Sequence, residues 1–372
     1  MAETPILRLP TGMRDHAPEA ASARRRIVDG LLATFERRGF ARVITPAFEY
    51  EEVLALGLGP AARAATFRFV EPSSGEVVAL RPDITPQIAR LIATRYRDEP
   101  GPVRLCYEGT VVRLERGARG QRELMQAGVE LAGLPGPDGD AEAIALAVDA
   151  LAAVGLRTPT VDLGHLGLAR EVLSALELPE AALDDARRCI AKHDGAGLGV
   201  VLERARGSRA AIQFARLLPE LSGVPSVLDD ARAQAPNAGI KRALAELAAI
   251  VSAVRGRKLD ARLHVDLGEV RGFDYYTGVR FQAFVPGASD AVLRGGRYDG
   301  LLARYGRPSP AVGFAVDVDA VAGALELSTS APPRSRGKPA SFPRRAPSRE
   351  GSGALPGFPT RSTEPRRTRS KE

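Results

Sequence analysis

No tryptophan occurs in the 372 residues, and only two cysteines, three methionines and four histidines do. Cys106 and Cys189 cannot build a disulfide framework, and no CxxC or paired-His spacing offers a metal site, so reduced thiols and no structural zinc are expected. No apolar run approaches the roughly 20 residues that span a bilayer. The N-terminus has neither a basic n-region nor an apolar h-region, which argues against a membrane and for the cytoplasm. His16, His165, His193 and His264 form no catalytic constellation visible in the sequence, and neither cysteine has an obvious activating base. The pattern calls for no cofactor.

A net charge of +7 reads as a nucleic-acid signal until it is divided along the chain. Residues 331–372 hold 11 Lys or Arg against 3 acidic residues, a tail of +8; residues 1–330 hold 41 against 42, a body of about −1. That body lacks the basic excess with which a protein neutralises many phosphates. The tail has 8 of the 28 prolines and almost no apolar periodicity. It cannot bury enough surface to offset its ordering entropy, so disorder is expected. It reads either as a solvated tail or as a basic segment that touches RNA or an acidic partner.

The apolar content of 44% suffices for one large core or two modest ones. Over residues 19–38, Ile27, Val28, Leu31, Leu32 and Phe35 repeat at helical spacing, with Gly39 as a C′ residue. A strand over 41–46 ends at Pro46, and a second spans 77–80. Thr85 then reads as a helix N-cap with Pro86 at the first helical position. Residues 104–131 read as two strands around a loop rich in glycine and arginine, and residues 170–255 as a helical insertion.

Four stretches carry chemistry. Arg271-Gly272-Phe273-Asp274-Tyr275-Tyr276-Thr277-Gly278 sits at a strand-turn-strand junction after the alternating run Leu263-His264-Val265-Asp266-Leu267-Gly268. It is either a small-molecule site or a surface hairpin with an Arg–Asp pair. Arg81 and Asp83 flank Pro82 in a loop stiffened by two prolines, as functional groups or as a helix-terminal charge with a salt bridge. Arg113, Arg116, Arg119 and Arg122 surround a loop that could grip a phosphate or be a solvated hairpin tip. The fourth is the glycine-rich Gly295-Gly296-Arg297-Tyr298-Asp299-Gly300.

In this order, the stretches resemble the class II aminoacyl-tRNA synthetase catalytic core, most closely its histidyl branch, over about residues 5–322. Residues 39–49 resemble motif 1, which implies a dimer interface around Pro46. Residues 107–128 resemble motif 2, which implies Arg113, with Glu115, at a nucleotide phosphate. Residues 271–277 resemble the histidine-specific signature. The resemblance implies an α+β fold: a mixed, mainly antiparallel sheet flanked by helices, spanning 1–326 with the helical insertion, followed by the basic tail 327–372.

Two departures bear on function. The position of the motif 3 arginine that holds the ATP γ-phosphate is Ala320, and Asp317 and Asp319 beside it would repel polyphosphate. Losing one charge-assisted hydrogen bond of about 1.5–3 kcal/mol weakens nucleotide handling by about ten- to hundredfold or more. The tail stands where an anticodon-binding domain is expected, so charging of tRNA is not. Leu80-Arg81-Pro82-Asp83-Ile84-Thr85-Pro86-Gln87 and Arg122-Glu123-Leu124-Met125-Gln126-Ala127-Gly128-Val129-Glu130 resemble instead the signatures of the ATP phosphoribosyltransferase regulatory subunits. That likeness implies activation of the short-form catalytic subunit in the first step of histidine biosynthesis, feedback inhibition by histidine, and a hetero-octamer containing dimers of this chain. It implies a histidine pocket of Asp83, Thr85, Gln126, Arg271, Tyr275 and Tyr276, with Asp83 and Gln126 on the α-ammonium and Arg271 on the carboxylate. Two other readings stay open: a divergent histidyl-adenylate-forming enzyme, and a paralogue that binds RNA through its tail.

Overall fold

Alternation of apolar and small residues organises the central sheet. In the computed structural model, which describes residues 7–114 and 120–330, twelve strands and thirteen helices follow one another. Glu115, Arg116 and Arg119 of the arginine-rich loop, and the tail from 331, lie outside the described residues. The strands are β1 (Ala41–Val43), β2 (Phe48–Tyr50), β3 (Arg68–Val70), β4 (Val77–Leu80), β5 (Val103–Val112) and β6 (Glu123–Ala132). They continue with β7 (Thr160–His165), β8 (Ser222–Gly223), β9 (Arg262–Asp266), β10 (Val279–Phe284), β11 (Leu293–Arg297) and β12 (Ala311–Asp317). Nine of them form one sheet in the order β1-β5-β6-β12-β11-β10-β7-β9-β8, parallel only between β1 and β5 and between β7 and β9. The other three form a small antiparallel sheet, β2-β4-β3. The expected mixed, mainly antiparallel sheet with flanking helices is what is found.

Helices α1 (Pro18–Arg37), α2 (Glu51–Gly57), α3 (Pro60–Ala64), α4 (Thr85–Arg95) and α5 (Asp138–Ala153) belong to the first half. Then come α6 (Leu166–Ala175), α7 (Glu180–Ala191), α8 (Gly195–Leu202), α9 (Arg209–Leu217), α10 (Val227–Gln234) and α11 (Ala238–Gly256). Last are α12 (Leu301–Arg304) and α13 (Val318–Ser330), the latter running past residue 326. The apolar stripe of α1 is buried throughout, and Phe35 meets Phe314 edge to face with ring centroids 5.7 Å apart. Gly39 takes φ +85°, the left-handed conformation that ends a helix at little cost. The first strand is shorter than its apolar run, because pairing with β5 stops at Val43 and the chain continues unpaired to Pro46.

Strand alternation gives the sheet two unlike faces. Ala127, Val129 and Leu131 of β6 and Val312, Phe314 and Val316 of β12 enter one large core with α1, α5 and the helices of residues 180–256. The intervening Gln126, Gly128 and Glu130, and opposite them Asp317, Ala315 and Gly313, line the other face. There a second core forms from Ile84 and Ile88 with Leu105, Tyr107, Tyr298 and Leu302.

The segment after α7 is pinned to the sheet by a titrating pair. His193 Nε2 lies 3.4 Å from Asp266 Oδ2, and its Nδ1 lies 2.8 Å from the Pro219 carbonyl oxygen. The Asp266 carboxylate, more than the opposing burial, lifts the imidazole to about 9, while Arg271 works against it. Asp162, 2.9 Å from His264 Nδ1, raises His264 in the same direction. A histidine whose folded pKa is raised adds stability that is complete below its unfolded value of 6.5 and fades as pH climbs through about 9. Stability from denaturant unfolding should therefore fall between about pH 6.5 and 9, and His193→Gln should flatten that part of the profile.

Candidate functional site

The site grows from one face of β6. Because Gln126, Gly128 and Glu130 alternate with core residues, they project together against the start of α4 and the turn that follows β9. Glu130 is almost wholly buried, yet three hydroxyls reach it. Thr85 Oγ1 donates to Oε1 at 2.7 Å, Tyr107 donates to the same oxygen at 3.4 Å, and the Tyr298 hydroxyl donates to Oε2. Burial pushes the carboxyl well above the usual range, and the neighbouring Asp83 charge adds to that. Glycine makes this possible: a Cβ on Gly313 would stand 1.8 Å from Glu130 Oε2, and one on Gly128 would stand 2.6 Å from the Tyr107 hydroxyl.

Around this carboxyl lies a cavity of about 220 Å³ lined by Asp83, Thr85, Arg113, Gln126, Tyr275 and Tyr276, among others. Five of the six residues expected to hold an amino acid are thus brought together. Arg271 is the exception. Its guanidinium is bidentate on Glu269, Nε to Oε1 at 2.9 Å and Nη2 to Oε2 at 2.7 Å, and its side chain is 51% exposed. Glu269 is also met by Arg280 and, at 3.4 Å, by Gln282. The positive charges lining the cavity come from Arg113 and Arg294. Arg113 Nε donates to the Pro82 carbonyl at 2.8 Å, and Arg294 pairs with Asp290 at 2.5 Å.

Two local roles differ from those expected. Thr85 does not cap α4. Asp83 Oδ1 instead accepts from the Thr85 amide at 3.1 Å, which frees the Thr85 hydroxyl for Glu130. Arg81 is not a loop charge. It is buried, giving Nε to Thr110 O at 2.8 Å and Nη1 to Thr45 O and Oγ1 at 2.9 Å each and to Pro46 O at 3.2 Å. It clamps the Pro46 segment to β5. Gln126 Oε1 and Tyr275 Oη, by contrast, are buried without a well-formed hydrogen bond inside the protein. Such atoms are costly unless a ligand meets them.

A second cavity of about 400 Å³ shares Arg113, Leu124, Arg294 and Asp317 with the first and is otherwise walled largely by small residues, among them Ala320, Gly323 and Ala324. The two aspartates at its edge do not act as a pair of bare charges. Asp319 binds Arg24 at 2.7 Å, and Asp317 Oδ1 accepts from the Ala320 amide at 2.8 Å, capping α13. Of the two, Asp317 lines the cavity and Asp319 does not.

Sequence reasoning missed Glu130, Tyr298 and Arg294 as site residues. Period-two reading was the available signal, since Arg294, Gly296 and Tyr298 alternate as Gln126, Gly128 and Glu130 do. Among the histidines, His165 Nδ1 accepts from the Leu168 amide at the start of α6. The chain Ser222 Oγ, His264, Asp162 has the order of a hydrolytic triad. The Ser222 amide, however, is donated to Glu220 O and cannot serve an oxyanion. Burial pushes the Cys106 thiol up to about 12, far from a reactive thiolate.

The histidyl-tRNA synthetase family model matches residues 12–321. An ATP phosphoribosyltransferase regulatory subunit of Anaeromyxobacter dehalogenans (strain 2CP-C) is 45% identical over 351 residues, covering 93% of this chain and 97% of the relative. One from Geobacter sulfurreducens is 43% identical, covering 86% and 73%. Among solved structures, an ATP phosphoribosyltransferase regulatory subunit/histidyl-tRNA synthetase from Bacillus halodurans C superposes with a TM-score of 0.79 at 30% identity, covering 87% of this chain and 84% of the other. A histidine–tRNA ligase subunit from Alicyclobacillus acidocaldarius gives 0.74 at 28% identity, covering 88% and 100%. With its sequence matched over nearly the whole length of such relatives and its fold matched as well, the chain belongs to the ATP phosphoribosyltransferase regulatory subunit family, within the histidyl-tRNA synthetase fold.

Proposed function

We propose that this chain is a non-catalytic cytoplasmic subunit that activates the short-form ATP phosphoribosyltransferase catalytic chain and binds histidine as the feedback inhibitor. The observation that carries the ligand is the meeting of Asp83, a high-pKa Glu130, two arginines and the unsatisfied Gln126 and Tyr275 atoms in one cavity of about 220 Å³. An amino acid with a polar ring needs just these groups. Asp83 and Gln126 take the ammonium, Arg113 or Arg294 the carboxylate, and Glu130 with Tyr275 the ring nitrogens. Arg271 is left out of this reading, because it does not line the cavity and Glu269 holds the Nε–Nη2 edge of its guanidinium. Ala320 offers a methyl group where adenylation needs a cation, which supports a regulator over a synthetase. The core ending near residue 326, the basic tail, and a hetero-octamer of four regulatory and four catalytic chains complete the reading.

Adenylation of histidine is the second reading, favoured by Arg113 beside the neighbouring cavity of about 400 Å³. Phosphoribosyl transfer by a short-form catalytic subunit should rise when this chain is added and fall again with histidine. Histidine-dependent exchange of pyrophosphate into ATP, with no effect on that transfer, would select the synthetase reading instead.

Asp83 both holds the Thr85 amide at the start of α4 and bears charge, so Asp83→Asn separates the two roles by retaining an acceptor for that amide. Calorimetry should show histidine bound about 10- to 100-fold more weakly, from the loss of about 1.5–3 kcal/mol in a charge-assisted bond. Unchanged affinity would remove Asp83 from the pocket.

Self-association is proposed on the small sheet beside Pro46. Phe48 and Phe69, 46% and 43% exposed, meet edge to face at 5.7 Å, and Tyr50, Val70 and Val77 are exposed near them. The double variant Phe48→Asp/Phe69→Asp should shift the mass by light scattering from dimer to monomer while leaving the circular dichroism spectrum intact.

A further inference from the structure

The turn that carries the two cavity tyrosines is held from outside the cavity. Gly272, at φ +75°, accepts from the amides of Tyr275 (3.0 Å) and Tyr276 (2.9 Å), closing a tight loop. A Cβ on Gly272 would stand 2.7 Å from the Tyr276 ring, so the loop and that ring fix each other. Phe273 leaves the same loop toward the helices. Two guanidiniums lie over its ring, Arg170 of α6 and Arg187 of α7, each 4.8 Å from the centroid. Arg170 also donates to the carbonyls of Phe273, Tyr276 and, at 3.4 Å, Thr277. Arg187 has a different environment. It pairs with Asp184 of its own helix at 3.1 Å, and its Nε is buried without a hydrogen bond, so the aromatic ring is its contact with the loop.

Between α7 and this loop opens a chamber of about 590 Å³, bounded by Asp184, Arg187, Arg188 and Phe273 on one side and by residues 57–62 on another. It shares Asp83, Tyr275 and Tyr276 with the inner cavity, so these residues form the wall between the two. A ligand in the inner cavity and helix α7 thus address two ends of one five-residue turn.

We propose that Arg187 is a positioning residue for the ligand cavity: with Arg170 it grips Phe273, sets Tyr275 and Tyr276 against Glu130, and transmits occupancy of the cavity to α7. The inference rests on the amino-acid cavity proposed above and names its regulatory path. A clamp that favours the ligand-ready loop raises affinity, and by linkage the ligand tightens the clamp to the same degree. The cation–ring contact is the sole link from α7 that the proposal requires, so removing the charge while keeping the stem isolates it.

The test compares the full chain with Arg187→Met and Arg187→Lys, reading amide exchange over residues 272–278 and histidine affinity by calorimetry. In the ligand-free protein, Arg187→Met should speed exchange at Tyr275 and Tyr276 about tenfold, and it should raise the histidine Kd about as much. Arg187→Lys, which keeps a cation over the ring, should restore both. Histidine added to the unmodified chain should slow exchange in α7, and the Met variant should lose that effect. Unchanged loop exchange in the ligand-free Met variant overturns the clamp. Faster exchange with an unchanged Kd overturns its role in positioning the ligand. If the unmodified chain binds no histidine, the amino-acid reading fails, while the exchange comparison still decides whether Arg187 sets the loop.

Discussion

The carboxyl of Glu130 is the constraint around which the rest of the site is arranged. It lies near the C-terminal end of β6, opposite Gly313 of β12 and Leu105 of β5. Donors reach it from α4 through Thr85, from β5 through Tyr107, and from the segment after β11 through Tyr298. Four elements distant in sequence therefore converge on two oxygens. A buried carboxyl without such partners would be strongly destabilising. Here burial raises its pKa while the hydroxyls satisfy its oxygens, so it can sit neutral on the cavity wall. The glycines are the other half of the arrangement, since neither Gly128 nor Gly313 can carry a side chain without displacing a ring or the carboxyl itself.

Around that point the arginines divide between architecture and ligand chemistry, and burial and partner decide which. Arg81 is surrounded by backbone carbonyls and a hydroxyl and holds the Pro46 segment in place. Arg297 is buried against Asp140 at 2.7 Å and reaches Asp299 at 2.9 Å. Arg271 and Arg280 are both committed to Glu269, which Gly164 makes room for: a Cβ there would meet the glutamate at 2.2 Å. Arg113 and Arg294 line the cavity itself. A positive residue in a signature stretch is thus not automatically a ligand residue, because a carboxylate two positions away competes for it with high effective concentration.

Much was legible in the chain. The helical stripe of Ile27 to Phe35, the strand at 77–80, the pair of strands around the arginine-rich loop and the mostly helical character of residues 170–255 all match observed elements. So does the gathering of Asp83, Thr85, Gln126, Tyr275 and Tyr276 in one cavity. What escaped was direction. Thr85 looked like a cap because Thr-Pro is a common helix start, yet the helix begins one residue earlier, with Ile84 as its N-cap, and the Thr85 hydroxyl turns to Glu130. Asp319 looked like a free charge facing a phosphate, yet Arg24 of α1 lies 2.7 Å away across 295 residues of sequence.

The sequence by itself determined what depends on near neighbours. Strand alternation set which residues share a face, glycine marked where backbones or rings come close, and composition separated a body of about −1 from a tail of +8. Tertiary structure alone decided what depends on distance in space. It chose Arg24 as the partner of Asp319, delivered Arg113 and Arg294 to the cavity, and set Phe273 beneath two guanidiniums from separate helices. The reason is physical: period and propensity act within a few residues along the chain, whereas hydrogen bonds, over a few ångströms, and screened Coulomb attraction, over about 10 Å, act on whatever the fold brings near in space.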